Sequence, residues 1–160
     1  MNSDRIEKKI VLKADQERVW RGISDSASFG AWFGVEIDGG KEAIGRIAPT
    51  KVDPEVARLQ EPYVGFPWRV MVERIVPMTL FSFRWHPGAV DPNSDYSSEP
   101  MTLVTFELAQ VDGGTLLTIT ESGFEQLPLD RRTAARDGND AGWAHQTKLI
   151  EKYLALDEQS

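Results

Sequence analysis

Two carboxamides set two helical turns apart, Asn139 and Gln146, are the side chains of this chain best placed to recognise something. They lie in the stretch Asp130 to Leu156, where Ala135, Gly142, Trp143, Leu149, Ile150, Tyr153 and Leu154 recur on one arc at about 100° per residue. Asp140, Lys148, Glu151 and Lys152 fall on the opposite arc. Asn139 and Gln146 sit in the middle of the apolar arc. A polar group buried without a partner costs roughly 1–3 kcal/mol, so each amide requires a neighbour, a water or a ligand. The helix therefore reads as one wall of a cavity, with backbone carbonyls of a facing sheet as the structural alternative. Gly138, a weak helix former, interrupts the path back to Asn139, and Gly142 beside Trp143 suggests a close approach of the helix to its partner layer.

Glu121 is a candidate for proton transfer. It shares a strand face with Leu117 and Ile119, which would turn it toward the same cavity, where burial disfavours a charge and suits a carboxyl group to acid–base work. At a strand end it could equally be solvated. The two histidines, His86 and His145, have no carboxylate at ligand spacing, so no metal site is expected. Glu121-Ser122-Gly123 lacks the flanking glycine of a serine-hydrolase elbow, and no glycine-rich phosphate loop occurs. With no cysteine, thiol nucleophiles, disulfides and iron–sulfur clusters are excluded, and no cofactor is expected. The rings of Trp32, Trp68, Phe81, Phe83, Trp85, Phe106, Phe124 and Trp143, with Ile150 on the helix, supply an apolar lining. Such a set is ordinary core or the wall of a site for a flat or apolar ligand.

The elements that must position these residues follow from pattern. Ile6, Ile10 and Leu12 alternate with charges as a half-buried strand, Lys8 being the exception. Asp15 caps a short helix through Val19, Trp20 and Ile23, and Ser24 to Ala31 suits a second, ending at Trp32-Phe33. Phe33 to Ile37 alternates before Asp38-Gly39-Gly40, and Ile44 to Ala48 is another short strand. Pro49 to Pro67, with four prolines, reads as an irregular connection. Trp68 to Val76 and Leu80 to Trp85 are strands joined at Pro77-Met78-Thr79, with Val70, Val72 and Val76 on one face of the first. Pro87 to Pro100 has turn composition, with Tyr96 its only aromatic residue, and is expected to cover one end of the cavity. Val104, Phe106 and Leu108 lead through the hairpin signal Asp112-Gly113-Gly114 to Leu117 and Ile119. The sum is an α+β fold: a curved antiparallel sheet of six or seven strands, two short helices, and a long C-terminal helix enclosing a cavity.

Residues 1–160 fit one domain. Hydrophobic residues make up 41% and charged residues 27%, and no apolar run approaches the ~18 residues of a bilayer span, so no membrane association is expected. The N-terminus lacks a secretory signal, which leads us to expect a cytoplasmic protein. A net charge of −7 with scattered Lys and Arg argues against a nucleic-acid partner.

One combination of segments is specific as a set. Asp15-Gln-Glu-Arg-Val-Trp20, Ala31-Trp-Phe33, Val72-Glu-Arg-Ile-Val-Pro77 with Phe81-Ser-Phe-Arg-Trp85, and Glu121-Ser-Gly-Phe124 ahead of Gly142-Trp143 resemble the START-like helix-grip superfamily, also called SRPBCC or birch-pollen-allergen-like. Within it the chain resembles the branch named for homology to the activator of heat-shock-protein-90 ATPase. The resemblance implies a helix-grip fold with a cavity under the last helix. Superfamily members include lipid and hormone carriers and polyketide cyclases, so the leading expectation is non-catalytic binding of a small apolar or aromatic molecule such as a lipid, polyketide or flavonoid. An alternative is a cyclase-type enzyme using Glu121 or a histidine on an aromatic substrate. The third is a chaperone partner that regulates ATPase activity, with a role in stress response.

Overall fold

A computed structural model describes residues 5–37, 42–87 and 98–158, with the side chains of 42–44, 68 and 156–158 outside that description. Seven strands form one antiparallel sheet in the order β1-β7-β6-β5-β4-β3-β2. These are β1 (Arg5–Leu12), β2 (Val35–Ile37), β3 (Glu42–Ile47), β4 (Pro67–Val76), β5 (Leu80–Trp85), β6 (Thr102–Val111) and β7 (Gly114–Ser122). Helices α1 (Gln16–Ser24), α2 (Ser26–Phe33) and α3 (Pro54–Gln60) are short, and α4 (Leu129–Glu158) is long. This is the expected α+β helix-grip arrangement.

The strands alternate as their sequences require. Along β7, Thr115, Leu117, Ile119 and Glu121 are buried while the residues between them are partly exposed. Phe106 pairs with Ile119 and Phe81, and Val104 pairs with Glu121 and Phe83, so one face of the central strands is continuous apolar surface with a carboxylate at its end. In β4 the alternation breaks. A bulge between Val72 and Arg74 moves Ile75 opposite Phe81 and Val76 opposite Leu80, so Val76 leaves the face it was expected to share with Val70 and Val72. Lys8, the charge on the half-buried first strand, meets Asp140 of α4 at 3.1 Å.

The helices are capped by the side chains their sequences provide. Asp15 accepts from the Arg18 amide, Asp25 from Ser28, and Asp53 from Glu55 and Val56. That last cap corrects the expectation for Pro49 to Pro67. Asp53 followed by Pro54 is a helix start, with proline in the first turn where its missing N–H costs nothing, and α3 runs on to a 3-10 turn at Glu61–Tyr63. The same segment closes α2: Thr50 donates its hydroxyl to the carbonyls of Ala31 and Trp32, and its amide binds Gln60. Helix α4 is continuous through Gly138. Of the loop expected from Pro87 to Pro100, residues 88–97, Tyr96 among them, lie outside the described residues.

Candidate functional site

Glu121 is fully buried at the end of β7. Its position follows from strand parity, and Gly123 at φ 102° then turns the chain into the 3-10 turn at Phe124–Gln126 that leads to α4. Four side chains, from α4, the end of β5 and the start of β6, converge on its carboxylate. Trp143 Nε1 donates at 2.8 Å to Oε1; Trp85 Nε1 at 2.8 Å and Thr102 Oγ1 at 2.5 Å donate to Oε2. Asn139 Nδ2 lies 3.0 Å from both oxygens. An indole N–H can only donate, so this is the surrounding an acceptor group requires. Both oxygens are engaged by neutral protein donors, which anchor the carboxylate between the sheet and α4.

Beside this anchor, Phe33, Trp85, Asn139, Gly142, Trp143 and Gln146 line a recess of about 80 Å³. That volume is several times what one water needs and well below the roughly 300–1,000 Å³ of sites that enclose drug-sized molecules. Its walls are mostly rings: Trp85 stacks on Trp143 with centroids 5.6 Å apart, and Phe33 is tilted against both at 6.1 and 6.0 Å. Gln146 crosses to α2, where Nε2 donates to the Phe33 carbonyl at 3.3 Å. Gly34 makes that carbonyl reachable by ending α2 in the left-handed conformation, φ 94°, which starts the turn into β2. The other amide atom, Gln146 Oε1, is buried and has no partner among the described residues. Exchanging the two amide atoms would set Oε1 against the Phe33 carbonyl, two acceptors face to face, so the orphan belongs to the site and not to its assignment.

Gly142 has another role than the close contact expected of it. A Cβ added there would meet nothing within 4 Å, so it forms an open stretch of the recess wall and the helix does not press on the sheet at that point. Among the other residues expected to contact a ligand, Trp32, Phe83, Phe106, Phe124 and Ile150 are buried in the core. Trp32 spends its N–H on the Gly22 carbonyl at 2.8 Å, tying α2 to α1. Phe81 packs edge-on to Trp20 of α1. The Trp68 side chain lies outside the described residues. Phe33 was missed because its alternation with Val35 and Ile37 placed it in a strand, whereas it closes α2. The group that sequence reasoning separated into an acid–base candidate and two amides is one hydrogen-bonded cluster. His145 is exposed, and no group of His, Asp or Glu side chains suited to a metal occurs among the described residues. No described helix is long and apolar enough to cross a membrane.

The comparison with known families matches residues 13–155 to the family described as activator of Hsp90 ATPase homolog 1-like protein. The chain belongs to that family. Solved structures agree on the fold. Protein NE0264 from Nitrosomonas europaea superposes with a TM-score of 0.69 at 18% identity, covering 100% of this chain and 99% of that one. Protein MLL2253 from Mesorhizobium loti gives 0.67 at 20%, covering 94% and 96%, and the Aha1 dimer from Colwellia psychrerythraea gives 0.61 at 15%, covering 92% of each. At such identities the likeness extends to the helix-grip fold of this family and not to a shared site. No curated protein matches the chain.

Proposed function

We propose that this member of the activator of Hsp90 ATPase homolog 1-like family binds a small aromatic or apolar molecule bearing a hydrogen-bond donor, without transforming it. The observation that carries this reading is Gln146 Oε1, a buried acceptor left unpaired beside the rings of Phe33, Trp85 and Trp143. Such an atom costs about 1–3 kcal/mol until something donates to it. A recess of about 80 Å³ suits one ring or a short branched group; a lipid, polyketide or flavonoid would require the helix and sheet to separate. The cyclase alternative is the weaker one, since Glu121 has both oxygens engaged by Trp85, Thr102, Asn139 and Trp143.

The test is a thermal-shift screen of small aromatic and aliphatic molecules, because a ligand of the folded state raises its melting temperature by mass action. Hits go to calorimetry and product analysis on wild type, Gln146→Leu and Glu121→Gln. Binding without turnover, weakened roughly 10- to 100-fold by Gln146→Leu, is expected, corresponding to about 1–3 kcal/mol for the lost pairing. Turnover by wild type that disappears in folded Glu121→Gln while affinity persists would overturn the non-catalytic reading.

A further inference from the structure

The charge of the ligand can be inferred from what the recess offers it. Both indole N–H groups are spent on Glu121, so Trp85 and Trp143 present ring surface, and Phe33 adds a third ring. Ring faces carry partial negative charge, and a cation within about 6 Å of such a ring is attracted to it. Behind the rings is the Glu121 carboxylate, fully buried, whose partners are two indoles, a hydroxyl and an amide. Those dipoles satisfy its lone pairs, yet no Lys or Arg is among them, and the field of such a buried group is screened less at the recess than it would be in water. Gln146 Oε1 adds an acceptor without a partner. The chain as a whole carries a net charge of −7, which favours the approach of cations over anions.

We propose that the recess takes the protonated amine of a small molecule, an N–H bonded to Gln146 Oε1 and the charge held by the rings of Phe33, Trp85 and Trp143 and by Glu121 behind them. A carboxylate or phosphate would meet ring surface, an acceptor and a like charge together. This assignment rests on the recess being a binding site and adds the charge class of its ligand.

Calorimetry at neutral pH and low salt with benzylammonium, benzyl alcohol and benzoate separates the two levels, since the three probes differ in charge far more than in size. The expected order is benzylammonium tightest, by at least about tenfold over benzyl alcohol, consistent with the roughly 1–2 kcal/mol of a partly desolvated cation–ring contact, with benzoate not binding. Gly142→Leu, which fills the recess from its open wall, should abolish binding of benzylammonium. Glu121→Gln, used only where circular dichroism shows it folded, should bring benzylammonium and benzyl alcohol to similar affinities. Equal affinities in wild type, both lost in Gly142→Leu, would overturn the charge assignment and leave recess binding standing. Benzoate binding as well as benzylammonium would likewise overturn it. Benzylammonium binding that survives Gly142→Leu would put the amine elsewhere, and failure of all three probes together with an empty thermal-shift screen would overturn both levels.

Discussion

The two halves of α4 differ sharply although one apolar arc runs through both. In the C-terminal half, Leu149, Ile150 and Leu154 are 1%, 0% and 4% exposed, and Arg18 of α1 donates to the Leu154 carbonyl at 2.7 Å. In the middle, the same arc carries Asn139 and Gln146, leaves Gly142 facing open space, and lies over a buried carboxylate. The first half is what burial of apolar surface alone would produce. The second keeps a polar cluster, an unpaired acceptor and unfilled volume, each of which destabilises relative to packed hydrocarbon. The comparison separates a stretch of α4 held by apolar burial from one organised around polar groups and open volume.

The largest effect should come where the halves meet. Trp143 is 2% exposed and also donates to Glu121, so Trp143→Ala should destabilise by about 3–5 kcal/mol, much of a total on the order of 5–15 kcal/mol. Ile150→Ala, in the dry half, should cost about 2–5 kcal/mol through cavity formation alone. Denaturant titration measures both, and an unchanged midpoint for either would show that α4 is not docked as described. Trp143→Phe sharpens the contrast, since it keeps a ring and removes the N–H. A loss of about 1–3 kcal/mol is expected from the weakened anchoring of Glu121, and a neutral result would make the middle of the helix ordinary core. Gly142→Ala carries the opposite sign. With nothing within 4 Å of the added Cβ, the change should stabilise by about 0.5–1 kcal/mol through helix propensity, whereas a packed helix–sheet contact would make it destabilising.

The smallest effect lies at the surface of the dry half. Asp53 is held below the usual carboxylate range, first by its side-chain hydrogen bond from Lys152 and next by the Val56 amide. A carboxylate depressed on folding contributes stability that is complete above its unfolded value, about 3.9, and is lost as pH falls through the lower folded value. Lys152→Met should therefore lower stability at neutral pH slightly, as exposed pairs contribute little, and flatten the acid limb of the stability–pH curve below about pH 4 by the same small amount. A neutral-pH loss as large as that of Ile150→Ala would contradict this.

Much of the fold was legible in the sequence because periodicity reports burial directly. The alternation at Leu117, Ile119 and Glu121 and the arc from Ala135 to Leu154 survive into the structure. Misread elements have local causes. The prolines between Pro49 and Pro67 were weighed as breakers although Asp53-Pro54 starts a helix, and the bulge after Val72 is invisible to a period-two rule. For the site, the types were readable and the partnerships were not. Asn139 and Glu121 were each recognised as polar residues on apolar faces, but that one satisfies the other depends on tertiary register. Nor could the sequence separate Trp32, whose N–H ties two helices, from Trp85, whose N–H anchors Glu121.

Whether the middle of α4 receives a ligand is read most directly at the indole N–H resonances of the residues concerned. Five tryptophans give five such signals, of which Trp85 and Trp143 belong to the recess and Trp20 and Trp32 to other contacts. Titration with benzylammonium, followed by two-dimensional nitrogen–proton NMR of the labelled protein, should shift the Trp85 and Trp143 signals and the Gln146 side-chain amide, saturably, while Trp20 and Trp32 stay in place. Shifts confined to other residues, or the same saturable shifts of Trp85 and Trp143 in Gly142→Leu, would contradict binding in the recess.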